Sequence, residues 1–134
     1  MSVSIPRAGK LLLDSNCVID IIGDFPLREE IFARNTIVIP APVLGELYFG
    51  AYNSVRVETN LRRLHNFLRS VDVLAADRVT ADWYGKIRFQ LKQIGRPIPD
   101  NDIWIAAIAL QHELTLATKD RHFGYIEGLE ITIW

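Results

Sequence analysis

The chain has 134 residues and 49% of them are hydrophobic, which fits one domain, residues 1–134, with its own core. Its formal net charge of -1 gives no sign that the whole chain binds nucleic acid. The single cysteine, Cys17, excludes an intramolecular disulfide and predicts a reducing, cytoplasmic setting. We expect no signal peptide and no membrane span, because the apolar run at residues 11–13 is too short for either.

Charge is distributed unevenly along the chain. Between Arg56 and Arg96 there are nine Lys or Arg and four Asp or Glu, a balance of +5. The remainder of the chain has six Lys or Arg and twelve Asp or Glu, a balance of -6. This asymmetry is typical of a basic surface beside an acidic site, and equally of two amphipathic helices with solvated basic faces.

Short apolar runs, most of them continuous rather than alternating, predict four or five buried strands at residues 10–14, 36–40, 71–75, 115–118 and 130–134. Helical patterns predict helices between them, at residues 16–22, 42–51, 56–70, 80–94 and 101–110. Gly95 is placed to end the fourth helix, and the fifth is apolar nearly all round, so it should be central. Strands alternating with helices predict an α/β domain with a mainly parallel sheet, which binds ligands beyond the carboxyl ends of its strands.

Two acids follow predicted strands and two lie on predicted helices. Asp14 comes directly after the first strand and Asp120 after the fourth, where an aspartate can also serve as a helix cap or turn residue. Glu46 lies among apolar and small residues, where a buried charge would need a partner, although a solvent-facing glutamate remains the alternative. Asp102 opens the most apolar helix, where any acid interacts favourably with the helix dipole, and Asp100 is the better cap.

Convergence of these four acids would be costly without a counter-ion. Two unit charges about 5 Å apart repel by roughly 3 kcal/mol at an effective dielectric constant near 20. Raised pKa values or a bound cation would relieve this repulsion. Hard oxygen ligands, with no cluster of His or Cys, favour Mg²⁺ or Mn²⁺ over Zn²⁺.

Four segments together resemble a known family. They are LLLDSN at residues 11–16, GELYFGA at 45–51, PDNDIWIAA at 99–107 and TKDRHF at 118–123. No segment is specific alone, but their order and spacing resemble PIN-domain ribonucleases, and more narrowly the VapC-type toxins of prokaryotic toxin–antitoxin pairs. The resemblance spans nearly the whole chain and implies a PIN-like three-layer α/β/α sandwich.

The resemblance also implies a site and a reaction. Asp14, Glu46 and Asp102 match the family's principal metal-binding acids, and Asp120 matches a more variable fourth. Three further positions match polar residues that orient the acids or a metal-bound water: Ser15, Asn16 and Thr118. The implied activity is Mg²⁺- or Mn²⁺-dependent endoribonuclease cleavage of RNA phosphodiester bonds.

The implied partners are RNA, a cognate VapB-type antitoxin and a second copy of the chain as a homodimer. Candidate RNA contacts are Arg62, Arg63, Lys86, Lys119 and Arg121. Three aromatic residues are interpreted as core, with an antitoxin groove as the alternative: Tyr48, Phe49 and Tyr52.

Alternative functions stay open at this point. The chain can be a housekeeping PIN-domain nuclease that processes RNA, or a non-catalytic PIN module that binds RNA or protein. Enzymes that form an aspartyl phosphate fit poorly, because Asn16 stands where the haloacid-dehalogenase-like group carries a second Asp.

Several other residues are given structural interpretations. The histidines His65, His112 and His122 are scattered and receive no catalytic assignment. Cys17 is expected to be a small buried residue, and core positions are expected for Trp83, Trp104 and Trp134.

Overall fold

The computed structural model describes residues 9–23 and 26–134. Residues 1–8, part of the segment in which we expect no signal peptide, lie outside these ranges. The strands are β1 (Gly9–Leu13), β2 (Asn35–Pro40), β3 (Asp72–Leu74), β4 (Thr115–Thr118) and β5 (Ile131–Ile133). The helices are α1 (Ser15–Ile22), α2 (Arg28–Arg34), α3 (Ala41–Tyr52), α4 (Val57–Leu68), α5 (Arg78–Gln93) and α6 (Asp100–Gln111), and a 3-10 helix spans Arg121–Tyr125.

The five strands form one sheet in the order β3-β2-β1-β4-β5, and every neighbouring pair is parallel. This confirms the predicted α/β class with a mainly parallel sheet, and the structure has five of the four or five strands expected. The central strands are continuous apolar runs because helices cover both faces of the sheet. β1, for example, buries Leu11, Leu12 and Leu13 completely or nearly so. The edge strand β3 is short, and its Asp72 and Val73 are exposed.

Helix α6 lies at the centre of the domain, as its apolar composition predicts. Residues 105–109 are completely buried. Trp134 is also core, at 8% exposure, whereas Trp83 and Trp104 are only half-buried. Within residues 9–23 and 26–134, no helix is long and apolar enough to cross a membrane.

Helix α2 is absent from the sequence-based prediction. Of its seven residues only Ile31 is buried, so no apolar stripe marks the segment as helical. Glu29 and Glu30 in its first turn and Arg34 in its last suit the helix dipole. Packing of Ile31 into the core, rather than periodicity, therefore determines this helix.

Helix α5 has well-defined ends. At its start, Asp77 accepts hydrogen bonds from the backbone N–H groups of Val79 and Thr80, and the Thr80 hydroxyl accepts one from the Asp77 N–H. At its end, Gly95 adopts a φ of 66°, and Arg96 N–H donates to Leu91 C=O at 3.0 Å. This Schellman-type ending confirms the predicted role of Gly95.

Two glycines of this region provide a matched test. Gly95→Ala is expected to lower the free energy of unfolding by about 1–2 kcal/mol, because alanine is strained in the left-handed region. Gly85→Ala, at an open position inside α5, is expected to raise it by up to about 1 kcal/mol. Urea denaturation measures both, and a stabilising Gly95→Ala would contradict the assigned helix end.

Candidate active site

The strand order locates a crevice at the carboxyl ends of β1 and β4. From β1 the sheet grows through β2 and β3 on one side and through β4 and β5 on the other. In parallel α/β sheets such a reversal leaves space for a ligand at the strand ends. Asp14 directly follows β1 and Thr118 ends β4, so both lie at this crevice.

Asp14 is held firmly at the amino end of α1. Its side chain is buried, at 5% exposure, and accepts hydrogen bonds from the Ser15 N–H at 2.8 Å and the Thr118 hydroxyl at 2.9 Å. Its own N–H donates to Ala117 C=O at 3.0 Å. Asp14 is therefore the N-cap of α1, which is the structural alternative considered above. Capping uses only part of the carboxylate's acceptor capacity, so it is compatible with a further ligand.

Thr118 connects two of the acids. Its completely buried hydroxyl donates to Asp14 and accepts from the Asp120 N–H at 3.0 Å. The Asp120 carboxylate itself is largely exposed and lies beyond the end of β4. The strand end thus fixes the backbone of Asp120 relative to the Asp14 side chain.

Glu46 lies on the exposed rim of the crevice, and its apolar neighbours in sequence do not bury it. One of its carboxylate oxygens accepts from the Ser15 hydroxyl at 2.8 Å, and the other accepts from the Asn101 side-chain amide. Polar residues of α1 and α6 therefore hold this glutamate of α3. Sequence analysis did not identify the contribution of Asn101.

Asp102 lies in the first turn of α6, half-buried. Burial raises the pKa of its carboxyl group, and the negative charge of Asp14 adds to this rise. Interaction with His122 opposes the rise, and the charge of Glu46 contributes a smaller upward shift. Glu46 is hydrogen-bonded to Ser15 and Asn101, the chain neighbours of Asp14 and Asp102, so acids from three separate segments lie around one crevice.

His122 completes this cluster, although sequence analysis gave it no catalytic role. Its Nε2 lies 3.0 Å from an Asp102 oxygen and its Nδ1 lies 3.6 Å from an Asp120 oxygen. One ligand atom from each of these three residues lies within 4.8 Å of the others. A sequence signal existed: His122 follows Asp120 by two positions in the loop after β4.

The predicted cap at Asp100 is wrong. The N-cap of α6 is Pro99, which makes no side-chain cap, and Asp100 is already the first helical residue. Its carboxylate instead accepts a hydrogen bond from the Tyr84 hydroxyl of α5, and this bond raises the pKa of Tyr84. The local sequence cannot distinguish the two positions, because the difference depends on contact with α5.

The remaining predicted residues are not part of this cluster. Asn16 is exposed and lines a groove between α1, α3 and α4, as does Arg63. Lys119 forms an ion pair with Asp20 at 2.8 Å. Three more candidate RNA contacts are exposed: Arg62, Lys86 and Arg121. Cys17 is buried, as predicted. Burial raises the pKa of its thiol, and the negative charge of Asp14 adds to this rise.

The donors at the crevice fit a divalent cation. The three ligand atoms that lie close together come from two carboxylates and one imidazole, those of Asp102, Asp120 and His122. Carboxylate oxygens are hard ligands that suit Mg²⁺ or Mn²⁺. Burial, and after it the negative charge of Asp14, raises the pKa of Asp102, and a bound cation would oppose both effects. No cation is needed to explain the positions of Asp14 and Thr118, which hydrogen bonds already fix.

Comparison with known proteins identifies the family of the chain. A family model described as the PIN domain matches residues 11–129. The chain belongs to the PIN-domain family. It is 32% identical to ribonuclease VapC2 of Rickettsia felis (92% of this chain, 96% of the relative) and 33% identical to tRNA(fMet)-specific endonuclease VapC of Shigella flexneri (93% and 98%). A structure of DNA-bound VapBC from Salmonella typhimurium superposes with a TM-score of 0.87 at 33% identity (93% and 98%). The chain therefore falls within the VapC ribonucleases, and the predicted fold and family are confirmed.

The burial of Asp102 beside other acids predicts a stability cost in this PIN domain. A carboxyl group with a raised pKa binds more protons in the folded than in the unfolded chain. Stability without metal therefore falls as the pH rises from aspartate's ordinary pKa through the raised one. With EDTA present, Asp102→Asn is expected to have a higher free energy of unfolding than wild type at about pH 7. The difference between the two free energies should become smaller towards about pH 4.

Urea denaturation of both proteins at the two pH values tests this expectation. Asp82→Asn is the control, because Asp82 is exposed and pairs with Lys86 on α5. An Asp102→Asn protein less stable than wild type at neutral pH would show that the acids do not crowd one another.

Proposed function

We propose that this PIN-domain ribonuclease is a Mg²⁺- or Mn²⁺-dependent endoribonuclease and the toxin of a VapBC-type pair. Asp14, Glu46, Asp102 and Asp120 are proposed to hold the cation. The observation that carries the proposal is the close grouping of Asp102, Asp120 and His122. Hydrogen bonds hold Asp14 and Glu46 at the same crevice. A degenerate, non-catalytic PIN module would not need this set of acids.

We propose roles for three of the acids from their hydrogen bonds and their exposure. A bound divalent cation would supply a water of lowered pKa and neutralise charge developing on the phosphate. The Ser15 N–H and the Thr118 hydroxyl keep Asp14 in a fixed orientation for ligation. Glu46 and Asp120 are the more exposed acids, and we assign to them the acceptance of a proton from the attacking water.

Similarity to relatives favours a toxin over a housekeeping RNA-processing factor. The VapC relatives are matched over nearly their whole length, and the solved structures include VapBC complexes. The name of the Shigella relative makes transfer RNA the first substrate to test. A cytoplasmic location stays a prediction from cysteine content.

A groove beside the acids is proposed to receive the antitoxin. It has a volume of about 630 Å³ and lies between α1, α3 and α4. Ile19, Ile22 and Leu64 supply an apolar lining, while Arg63, Ser15 and Glu46 supply polar groups. An amphipathic segment ending near Glu46 would fit this groove and obstruct the crevice.

Two of the three aromatic residues of α3 are exposed and not core, contrary to the prediction. Phe49 is 69% exposed and Tyr52 is 64% exposed, whereas Tyr48 is half-buried. They do not line the groove either. Exposed aromatic side chains are typical of protein interfaces, and we assign Phe49 and Tyr52 to the homodimer contact.

The ribonuclease proposal is tested with purified protein and labelled transfer RNA. We expect cleavage in the presence of Mg²⁺ or Mn²⁺, and we expect EDTA to abolish it. Asp14→Asn or Asp102→Asn is expected to lower kcat/KM by about 100-fold or more, because charge stabilisation at the phosphate is lost. Asp82→Asn should retain wild-type activity. Full activity of both folded site variants would show that the metal site lies elsewhere.

The groove proposal is tested with Ile19→Glu, since Ile19 is exposed and lines the groove. Co-purification with the protein encoded by the adjacent open reading frame is expected to fall about tenfold or more. Val79→Glu, a similarly exposed apolar position on α5, is the control. RNA cleavage by both variants alone should stay near wild type. Undiminished co-purification of Ile19→Glu would place the antitoxin elsewhere.

A further inference from the structure

A second pocket lies on the other side of the first turn of α6. It has a volume of about 470 Å³ and lies between the last turns of α5 and the start of α6. Arg88 and Lys92 provide basic groups, Leu91 and Ile103 an apolar floor, and Asp100 part of the rim. We name this cavity the α5–α6 pocket. Its volume is within the range of small-molecule sites.

Within the described part of the chain, the two cations of the α5–α6 pocket form no direct ion pair with an acid. Arg88 and Lys92 are four residues apart on one helix, a spacing at which like charges repel. Lys86 of the same helix, by contrast, pairs with Asp82 at 3.2 Å. Among residues 9–23 and 26–134, neither Arg88 nor Lys92 forms an ion pair. An anionic ligand would remove this repulsion.

Hydrogen bonds connect the pocket to the first turn of α6. Arg88 donates to the Tyr84 hydroxyl at 3.1 Å, and that hydroxyl donates to Asp100. Tyr84 also stacks on Trp104 of α6, with ring centroids 4.3 Å apart. Asp100 and Asp102 belong to the same helical turn, whose pitch is about 5.4 Å. The pocket therefore lies next to the turn that supplies an acid to the crevice.

We propose that the α5–α6 pocket binds one nucleotide of single-stranded RNA that flanks the cleaved bond. Arg88 and Lys92 contact its phosphate, and the apolar floor receives the base. This inference rests on the proposed ribonuclease function and adds a substrate subsite that the crevice acids do not provide. A third pocket, beside Trp83, is a poor alternative because its rim carries Glu113, Glu127 and Glu130, which repel phosphate.

The experiment measures RNA binding separately from cleavage. In an Asp14→Asn background without metal, fluorescence anisotropy follows a labelled single-stranded RNA of about one dozen nucleotides. Arg88→Gln with Lys92→Gln is expected to raise Kd about tenfold. It should also reduce the slope of log Kd against log salt concentration by about 0.7, for one phosphate that is no longer neutralised. Lys92→Gln alone, which cannot disturb the Tyr84 hydrogen bonds, should give a smaller rise in Kd.

The matched control replaces one lysine and one arginine far from the pocket. Lys10 is exposed at the amino end of β1, and Arg34 is exposed at the end of α2. Lys10→Gln with Arg34→Gln removes the same net charge but should change Kd less than about twofold. In the background that retains Asp14, the pocket variant should lower kcat/KM about tenfold with an unchanged Tm.

Three results would overturn the proposal. If the pocket variant and the control pair bind RNA equally, Arg88 and Lys92 make no specific contact, although cleavage by wild type would still support the ribonuclease function. If antitoxin binding falls and RNA binding does not, the pocket belongs to a protein partner. If wild type neither binds nor cleaves RNA, the proposed function fails and the subsite fails with it.

Discussion

Repulsion among carboxylates at one edge of a parallel sheet is the constraint to which the rest of the structure responds. Asp14 is almost completely buried, and hydrogen bonds from the Ser15 N–H and Thr118 compensate for the water it has lost. Asp102 faces that charge, and its raised pKa shows that compensation there is incomplete. Such an arrangement persists only on a rigid support, which the buried strands β1 and β4 and the buried residues 105–109 of α6 provide.

Much of the fold could be predicted because burial of both sheet faces leaves continuous apolar runs in the sequence. The same runs say nothing about which strands are neighbours, so the order β3-β2-β1-β4-β5 had to come from the structure. Helix α2 could not be predicted for a related reason. Because Ile31 is its one buried residue, its sequence has no apolar stripe at helical spacing. The prediction for α3 failed in the opposite way, because Phe49 is apolar and was expected in the core but is exposed to solvent.

The candidate site was predictable where the backbone alone places a residue. The carboxyl end of a strand fixes Asp14 and Asp120, and the start of a helix fixes Asp102. Residues whose role depends on side-chain reach were not predictable. In the sequence, His122 is one of three scattered histidines. In the structure, the 3-10 helix places its ring in contact with Asp102. Glu46 was selected for an apolar context, yet an exposed hydrogen-bond network holds it in place.

The first turn of α6 links these parts. Successive helical residues point about 100° apart, so three neighbours can contact three different elements. Asp100 contacts Tyr84 of α5, Asn101 contacts Glu46 of α3, and Asp102 contacts His122 of the 3-10 helix. A nucleotide in the α5–α6 pocket would therefore press on the same turn that presents Asp102 and supports Glu46. Because the following residues of α6 are packed in the core, that turn cannot shift freely. Substrate contact and the geometry of the acids thus depend on one rigid element, which explains why the most apolar helix of the chain begins with its most polar residues.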